Sequence, residues 1–455
     1  MPRSFPVPPH RFTRSSTLTP APSDEPGLPA RRAALDILLA IRRGQALDMA
    51  MAESEAFEDL EGADRGFART LIMAVLRRQN TLDEAYGTFL DRPLKSTQGT
   101  VITLLRLAAA QILLLGVPPH AATATTVDLA KERRDSAGFA KLLNALCRRM
   151  VEKGPSLIED YPPRTDVPGW LWRRLERHYG AKTARRLAAA FVQEPALDLT
   201  PKDPKERERL ATALEAHPLG PVSLRRTAGG RIEDLPGYTE GDWWIQDLAA
   251  ALPISLLGDL TGQRVYDLCA APGGKTAQLA AAGAHVTAVD ISAKRLRRLE
   301  DNLARLGLRA DTFVGDVLGF SPDEPADLVV LDAPCTATGT VRRHPDLLWS
   351  KKEEDVAELS ALQDQMLHHA ARLVRPGGRL MFITCSLLAE EGEDRSRAFL
   401  SRHSQFTAEP LSDDEKERLG PLNAAKDGHL RTRPDLIADA GGMDGFYAAR
   451  FTRQD

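Results

Sequence analysis

The stretch QRVYDLCAAPGGKTAQL (residues 263–279) decides the fold of the second half of the chain. It begins with an apolar run typical of a buried strand, passes through Gly273–Gly274 and continues with the composition of a helix. Its ending, GGKT, is similar to a phosphate-binding loop, but that motif needs glycine where this chain has Cys269. The stretch therefore predicts a strand, a turn and a helix whose turn serves a ligand other than a nucleoside triphosphate.

Four further apolar runs follow the same rhythm. They occupy residues 285–291, 310–316, 326–334 and 378–385. Helical segments separate them, notably 292–306 and 353–375, and this alternation predicts an open, mainly parallel α/β sheet of the Rossmann-like kind. Ligands bind such sheets at the carboxyl ends of the strands, where the strand order reverses. We therefore expect the functional site at that edge.

Acidic residues stand at two successive strand ends in this region. Asp290 suits hydrogen bonds from ribose hydroxyl groups, and Asp316 can accept from an adenine amino group. Together with the glycine turn they indicate a nucleoside cofactor. Because no clear pyrophosphate fingerprint accompanies them, S-adenosylmethionine fits better than a dinucleotide.

Two of the four cysteines also follow strands. Cys335 ends DAPC (332–335), Cys385 ends FITC (382–385), and adjacent strands lie about 4.8 Å apart, so both thiols can face one substrate. The DAPC sequence lacks the [DN]-P-P-[YF] pattern of enzymes that methylate exocyclic amino groups. Carbon 5 of a pyrimidine becomes nucleophilic once a thiolate adds to carbon 6. The pattern predicts this covalent chemistry, with Lys275 as a cation that favours the thiolate, but does not rank the two thiols.

The other cysteines predict no chemistry of their own. Cys147 reads as a small buried apolar residue, and Cys269 contributes backbone to the cofactor turn. The absence of a C-x-x-C pair and of clustered histidines argues against a structural metal or a disulfide framework, and it fits the cytoplasm. The most apolar stretch, 101–117, is interrupted by Arg106 and Gln111 and predicts a buried helix rather than a membrane span.

Changes in composition divide the chain into four parts. We expect a disordered, basic, proline-rich tail (1–28), an all-α domain (29–154), a small α+β linking subdomain (155–240) and the α/β catalytic domain (241–455). The net charge is −3, so any RNA site must be a local basic patch. Basic residues concentrate at 131–149, 164–186, 294–309 and Arg342–Arg343, and we expect salt-sensitive RNA binding through them.

The motifs DLCAAPGGKT, DAPCTATGTVRRHPD, PGGRLMFITCS and GMDGFYAARF, taken together, resemble the NOL1/NOP2/sun family of RNA cytosine carbon-5 methyltransferases. The resemblance covers residues 241–455, and the helical domain before it resembles NusB, an RNA-binding module. This combination of domains is typical of enzymes that methylate 16S (small subunit) ribosomal RNA. A departure is AEEGE (389–393), where many members of the family have E-N-E.

The resemblance implies specific roles for the residues of the site. Cys385 would be the nucleophile, Cys335 would help to release the product, and Asp332 would hold the cytosine edge. The implied S-adenosylmethionine site comprises Cys269, Ala270, Ala271, Pro272, Gly273, Gly274, Lys275, Asp290, Asp316 and Asp332. We expect a monomer with RNA as its partner and neither metal nor membrane. Transfer RNA as the target, and a NusB-type RNA-binding factor with an inactive methyltransferase domain, remain alternatives.

Overall fold

The computed structural model describes residues 27–227, 229–425 and 427–455. Up to residue 26, the tail predicted for 1–28 lies outside the described residues, and the first helix begins at Leu28. No helix in the described ranges is both long enough and apolar enough to cross a membrane.

The first part of the described chain is helical throughout, as predicted. Its helices are α1 (Leu28–Arg42), α2 (Leu47–Ala52), α3 (Glu55–Glu58), α4 (Gly62–Arg77), α5 (Gln79–Gly87), α6 (Gly99–Ala109), α7 (Pro119–Lys131), α8 (Ala140–Lys153) and α9 (Ser156–Glu159). A π-helical turn, Ala110–Leu114, extends α6. Apolar residues three and four positions apart, such as Leu35 and Leu38 of α1, face one shared core. Cys147 lies in this core, where burial raises the pKa of its thiol to about 12.

A small mixed unit links this helical part to the rest of the chain. It contains α10 (Gly169–Tyr179), α11 (Ala181–Phe191), α12 (Arg207–Ala213), β1 (Leu197–Pro201), β2 (His217–Leu219), β3 (Ser223–Arg226) and β4 (Trp243–Ile245). Its strands form an antiparallel sheet in the order β2-β3-β1-β4. Gly180, with φ +79°, separates α10 from α11.

A large sheet organises the remainder. Its strands are β5 (Arg264–Leu268), β6 (His285–Asp290), β7 (Asp311–Val314), β8 (Ala326–Asp332), β9 (Val374–Thr384), β10 (Phe406–Ala408), β11 (Leu430–Arg431) and β12 (Tyr447–Arg453). The helices are α13 (Leu248–Ser255), α14 (Gly274–Ala281), α15 (Ala293–Leu306), α16 (Leu347–Ser350), α17 (Glu353–Leu373), α18 (Glu393–Arg402) and α19 (Asp413–Leu419). The predicted α/β fold class is confirmed.

The order of the strands in the sheet indicates where the site lies. It is β10-β12-β9-β8-β5-β6-β7, with β11 paired to β12, and the five strands from β5 to β9 run parallel. The order reverses between β5 and β8, so a crevice opens at their carboxyl ends. Strand β12, which the apolar runs of the sequence did not predict, pairs antiparallel with β9 and flanks the strand that leads to Cys385.

Candidate active site

The turn after β5 lies at this crevice. Cys269 has φ +62° and Gly273 has φ +102°, so the backbone folds back tightly between β5 and α14. A Cβ atom at Gly273 would lie 2.6 Å from Cγ of Leu299, which means that only glycine fits against α15 here. The thiol of Cys269 has its pKa raised to about 12 by burial and by nearby carboxylates, so it stays protonated.

Three carboxylates lie at or just after the ends of three successive strands, on the same edge of the sheet as the turn. Asp290 ends β6, is buried, and accepts hydrogen bonds from Ala271 N at 3.1 Å and Ser292 N at 2.9 Å. Asp316 follows β7 and is exposed, and Asp332 ends β8. This set of acceptors beside a glycine turn fits S-adenosylmethionine, because it offers partners for hydroxyl and amino groups and negative charge for a sulfonium centre.

A fourth carboxylate lies within β5. Asp267 is fully buried, and its Oδ2 accepts from Thr276 Oγ1 at 2.6 Å. Burial raises the pKa of Asp267 to about 7. Its role in the site is to tie β5 to α14 and so to fix the turn between them.

The two strand-end thiols lie together. The sulfur atoms of Cys335 and Cys385 are 3.5 Å apart, and both residues are half-buried. Cys385 directly follows β9, whereas Cys335 lies three residues beyond β8. The neighbouring Cys385 sulfur and burial raise the pKa of Cys335 well above its usual value. The arrangement can present two sulfur atoms to one substrate group.

A buried ion pair borders these thiols. Lys275 Nζ, in the first turn of α14, donates to Asp332 Oδ2 at 2.8 Å and lies 5.1 Å from the centre of the Phe446 ring. Burial lowers the pKa of Lys275, but Asp332, with Asp267 and Cys385, outweighs this and raises the pKa overall. Lys275 is therefore a permanent cation within electrostatic reach of Cys385.

The segment after Cys335, residues 341–350, is anchored by other parts of the chain. Asp346 Oδ2 accepts from Leu47 N at the start of α2, at 3.1 Å. Trp349 Nε1 donates to Leu76 O of α4 at 2.7 Å, and its ring packs against the helical core. The helical domain therefore contributes directly to the position of the Cys335 segment.

The structure contradicts the expected RNA contact of Arg342 and Arg343. Arg342 is only 1% exposed. Arg343 forms ion pairs with Asp247 Oδ2 at 2.5 Å and with Asp444 Oδ2 at 3.0 Å. These arginines therefore fasten the Cys335 segment to the linking and C-terminal regions. A local run of basic residues does not reveal such partners, because the carboxylates lie about a hundred residues away in the sequence.

The other groups of basic residues differ in whether they are paired with acids or exposed to solvent. Arg173 and Arg174 of α10 pair with Glu353, and Arg186 of α11 pairs with Asp435, so part of the 164–186 group joins two regions of the protein. On α8, by contrast, Lys141, Arg148 and Arg149 are all exposed. Arg297 and Arg298 of α15 are exposed as well, so these two helices keep basic surface available to phosphate.

Sequence reasoning missed two residues that shape the site. Phe446 packs against Lys275, and Glu391 accepts hydrogen bonds from residues beside both thiols. Glu391 lies in AEEGE (389–393), a stretch that the sequence alone presents only as a departure from a family pattern. Its closeness to Cys385 in the sequence was the signal that could have identified it.

Comparisons with known proteins agree with this architecture. Residues 255–452 match the family model for 16S rRNA methyltransferase RsmB/F, and residues 28–152 match the NusB family. Ribosomal RNA small subunit methyltransferase B of Erwinia tasmaniensis is 32% identical over 443 residues, which cover 93% of this chain and 98% of that protein. The protein of the same name from Klebsiella pneumoniae is 33% identical over 404 residues, covering 84% and 92%.

Solved structures share the fold. PH0851 has a TM-score of 0.75 at 23% identity and covers 94% of this chain and 99% of its own. NSun6 from Pyrococcus horikoshii, solved with SFG, an analogue of S-adenosylmethionine, has a TM-score of 0.55 at 19% identity and covers 63% and 98%.

The fold and the site define an S-adenosylmethionine-dependent methyltransferase joined to a NusB-like helical domain. The chain belongs to the 16S rRNA methyltransferase RsmB/F family, since the identity to its curated relatives extends over nearly the whole chain. The cofactor predicted from the sequence is thereby confirmed, and the enzyme acts on ribosomal RNA.

Proposed function

We propose that this rRNA methyltransferase methylates carbon 5 of a cytosine in small-subunit RNA, with Cys385 as the nucleophile. The observation that carries the proposal is the 3.5 Å separation of the Cys335 and Cys385 sulfur atoms beside the Lys275–Asp332 ion pair. One sulfur can attack the base while the other accepts the proton that must leave carbon 5. The small-subunit target is supported by the family model and by the names of the curated relatives.

We assign the cofactor site to the turn 269–275 together with Asp290, Asp316 and Asp332. Asp290 is held by two backbone N–H groups, so its carboxylate is fixed in place before a ligand enters. The bound cofactor supplies an electrophilic methyl group. Asp332, whose charge is shared with Lys275, is placed to accept from the cytosine edge.

The first step is addition of sulfur to the ring. The Lys275 ammonium group, paired with Asp332, lies within electrostatic reach of the Cys385 sulfur, which attacks as a thiolate. The Cys385 sulfur bonds to carbon 6, and the electron pair of the ring double bond moves to carbon 5. That carbon then has the nucleophilic character needed to take the methyl group.

Release requires a base. The proton on carbon 5 must leave and the bond between Cys385 and carbon 6 must break, with its electron pair returning to sulfur. We assign Cys335 to this proton, because its sulfur is adjacent to the bond that breaks. Cys335 first loses its S–H proton to solvent, and this is the one proton that the overall reaction releases. The resulting thiolate then takes the proton from carbon 5 and becomes a thiol again.

Trapping with a fluorinated base tests this proposal. Small-subunit RNA transcribed with 5-fluorocytidine carries fluorine where a proton must leave, so elimination is blocked and a covalent protein–RNA product should accumulate. We expect this product with the unaltered enzyme and S-adenosylmethionine, and none with Cys385→Ala. An enzyme that methylates unmodified RNA without ever forming the product would contradict the covalent route.

Mapping of a labelled methyl group tests the target. Unmodified small-subunit RNA should yield 5-methylcytosine after digestion, whereas a transfer RNA mixture should remain unlabelled. Label found only in transfer RNA would assign the same chemistry to the other substrate class.

A further inference from the structure

One carboxylate joins the backbones that carry the two thiols. Glu391 is fully buried, and its Oε1 accepts from Thr336 N at 2.9 Å. Its Oε2 accepts from Thr336 Oγ1 at 2.5 Å and from Ser386 Oγ at 2.6 Å. Thr336 immediately follows Cys335, and Ser386 immediately follows Cys385. Glu391 therefore links the residue next to one sulfur with the residue next to the other.

Glu391 is itself held firmly. Gln363 Nε2 of α17 donates to its Oε1 at 3.3 Å, and Thr384 Oγ1 donates to its backbone carbonyl at 3.0 Å. All these partners are uncharged, and burial raises the pKa of Glu391 above its ordinary value. Burying a carboxylate among neutral groups is costly, so this arrangement is explained by geometry better than by stability.

Other hydrogen bonds also join the two thiol segments, residues 333–339 and 383–387. Leu387 N donates to Thr338 Oγ1 at 3.0 Å, and the Ser386 hydroxyl lies 3.3 Å from that of Thr338 and 3.4 Å from that of Thr336. Between the two backbones, Ala333 N donates to Ile383 O at 2.9 Å and Gly339 N donates to Cys385 O at 2.9 Å. Cys335 lies between these two backbone hydrogen bonds, in an irregular segment without its own strand partner. Glu391 differs from these partners because it binds both the backbone N–H and the hydroxyl of Thr336, the residue next to Cys335, at 2.9 and 2.5 Å.

We propose that Glu391 is a positioning residue that sets the separation of the Cys335 and Cys385 sulfur atoms. The inference rests on the function proposed above for the two thiols. Glu391 reaches no substrate atom in this role and acts only through Thr336 and Ser386. Its loss should leave the binding of RNA and cofactor intact and slow the chemical steps.

Oxidation of the purified enzyme tests the role without RNA or cofactor. Diamide removes two protons and two electrons from neighbouring thiols, giving a disulfide and the reduced hydrazine. The Cys335–Cys385 disulfide is followed by peptide mass spectrometry. We expect Glu391→Ala to form it at least about tenfold more slowly than the unaltered enzyme, because a displacement of about 1 Å already has large effects on reaction rates.

A conservative variant of Glu391 and a variant of its neighbour distinguish the effect of its hydrogen bonds from the effect of its charge. Glu391→Gln should react within about threefold of the unaltered enzyme, since its oxygen still accepts from Thr336 N and its amide can donate to both hydroxyl groups. Glu390→Ala is the matched control, because Glu390 pairs with Arg174 and has no hydrogen bond to either thiol segment among the described residues. Its rate should not change.

Turnover supplies the second readout. Glu391→Ala should lower kcat about 100-fold with KM for RNA nearly unchanged, and Glu391→Gln should restore most of the loss. Should Glu391→Ala fail to fold, Thr336→Val decides, since it keeps the side-chain shape and the backbone hydrogen bond while removing the hydroxyl. We expect it to slow disulfide formation by about threefold or more.

The outcomes distinguish the two proposals. Equal disulfide rates in Glu391→Ala and the unaltered enzyme, or in Thr336→Val if that variant must decide, overturn the positioning role even if an RNA adduct is found. A slowed disulfide in these variants, combined with no RNA adduct in the unaltered enzyme, supports the role of Glu391 and overturns the covalent mechanism.

Discussion

The two thiol segments meet at one point but are supported in different ways. Cys385 directly follows β9, which lies inside the sheet with β8 on one side and β12 on the other. Cys335 lies in an irregular segment fastened by Glu391, by Asp247 at the start of α13 and by the helical domain. The comparison teaches that the sheet fixes the proposed nucleophile, whereas long-range contacts fix its partner.

The largest effect should come from Cys385. Cys385→Ala removes the proposed nucleophile, so methyl transfer should fall by about 10⁴-fold or more. Labelled methyl incorporation into small-subunit RNA measures the loss, and equilibrium binding of S-adenosylmethionine serves as the control that should not change. Turnover at the unaltered rate would show that the nucleophile lies elsewhere.

Cys335→Ala should produce a different defect. Addition to the base remains possible, but removal of the proton from carbon 5 loses its base, so turnover should fall by about 10² to 10³-fold. A covalent protein–RNA product should accumulate and be visible on denaturing gels. The double variant Cys335→Ala, Cys385→Ala should lack this product, and its persistence there would contradict the division of roles.

The pH dependence of release should reflect the protonated state of Cys335. In the free enzyme the Cys385 sulfur and burial raise the pKa of Cys335. In the adduct Cys385 is bonded to the base but the burial remains, so Cys335 is mostly protonated at neutral pH and only a small thiolate fraction can accept a proton. Below that pKa the thiolate fraction, and with it the decay rate of the adduct, should rise about tenfold per pH unit. A decay rate that is constant between pH 7 and pH 8 would exclude Cys335 as the base.

The smallest effect should come from the contact with the helical domain. Trp349→Phe removes the hydrogen bond to Leu76 O, which should lower the free energy of unfolding by about 1 kcal/mol and kcat by a few fold. Trp243→Phe is the matched control, because it removes a similar bond to a backbone carbonyl, Pro236 O at 2.8 Å, in the linking sheet. Urea unfolding and initial rates should show comparable destabilisation but a lower kcat only for Trp349→Phe.

Local patterns predicted much of this structure. The five parallel strands, the glycine turn and the acids Asp290, Asp316 and Asp332 follow from features within short stretches. The neighbouring thiols were expected because β8 and β9 follow one another in the chain and the sheet pairs them. Parallel strands linked by helices make such neighbours probable from sequence order alone.

Other features depend on contacts that a short stretch does not contain. Glu391 meets Thr336 across 55 residues, and Arg343 meets Asp444 across 101. The sequence therefore shows that Arg342 and Arg343 are charged, but it does not show that the fold buries Arg342 and pairs Arg343 with carboxylates. Strand β12 was missed for the same reason, since its partner β9 is distant in the chain.

Strand β12 has a consequence for when activity can begin. Ribosomes make proteins from the N-terminus, so the NusB-like domain can fold early, while residues 447–453 emerge after both cysteines. Until then β9 lacks one neighbour, and Gly445 has not yet closed against Gly339. A nascent chain that already contains both cysteines therefore still lacks part of the folded site. We expect activity only after β12 has been synthesised and has paired with β9.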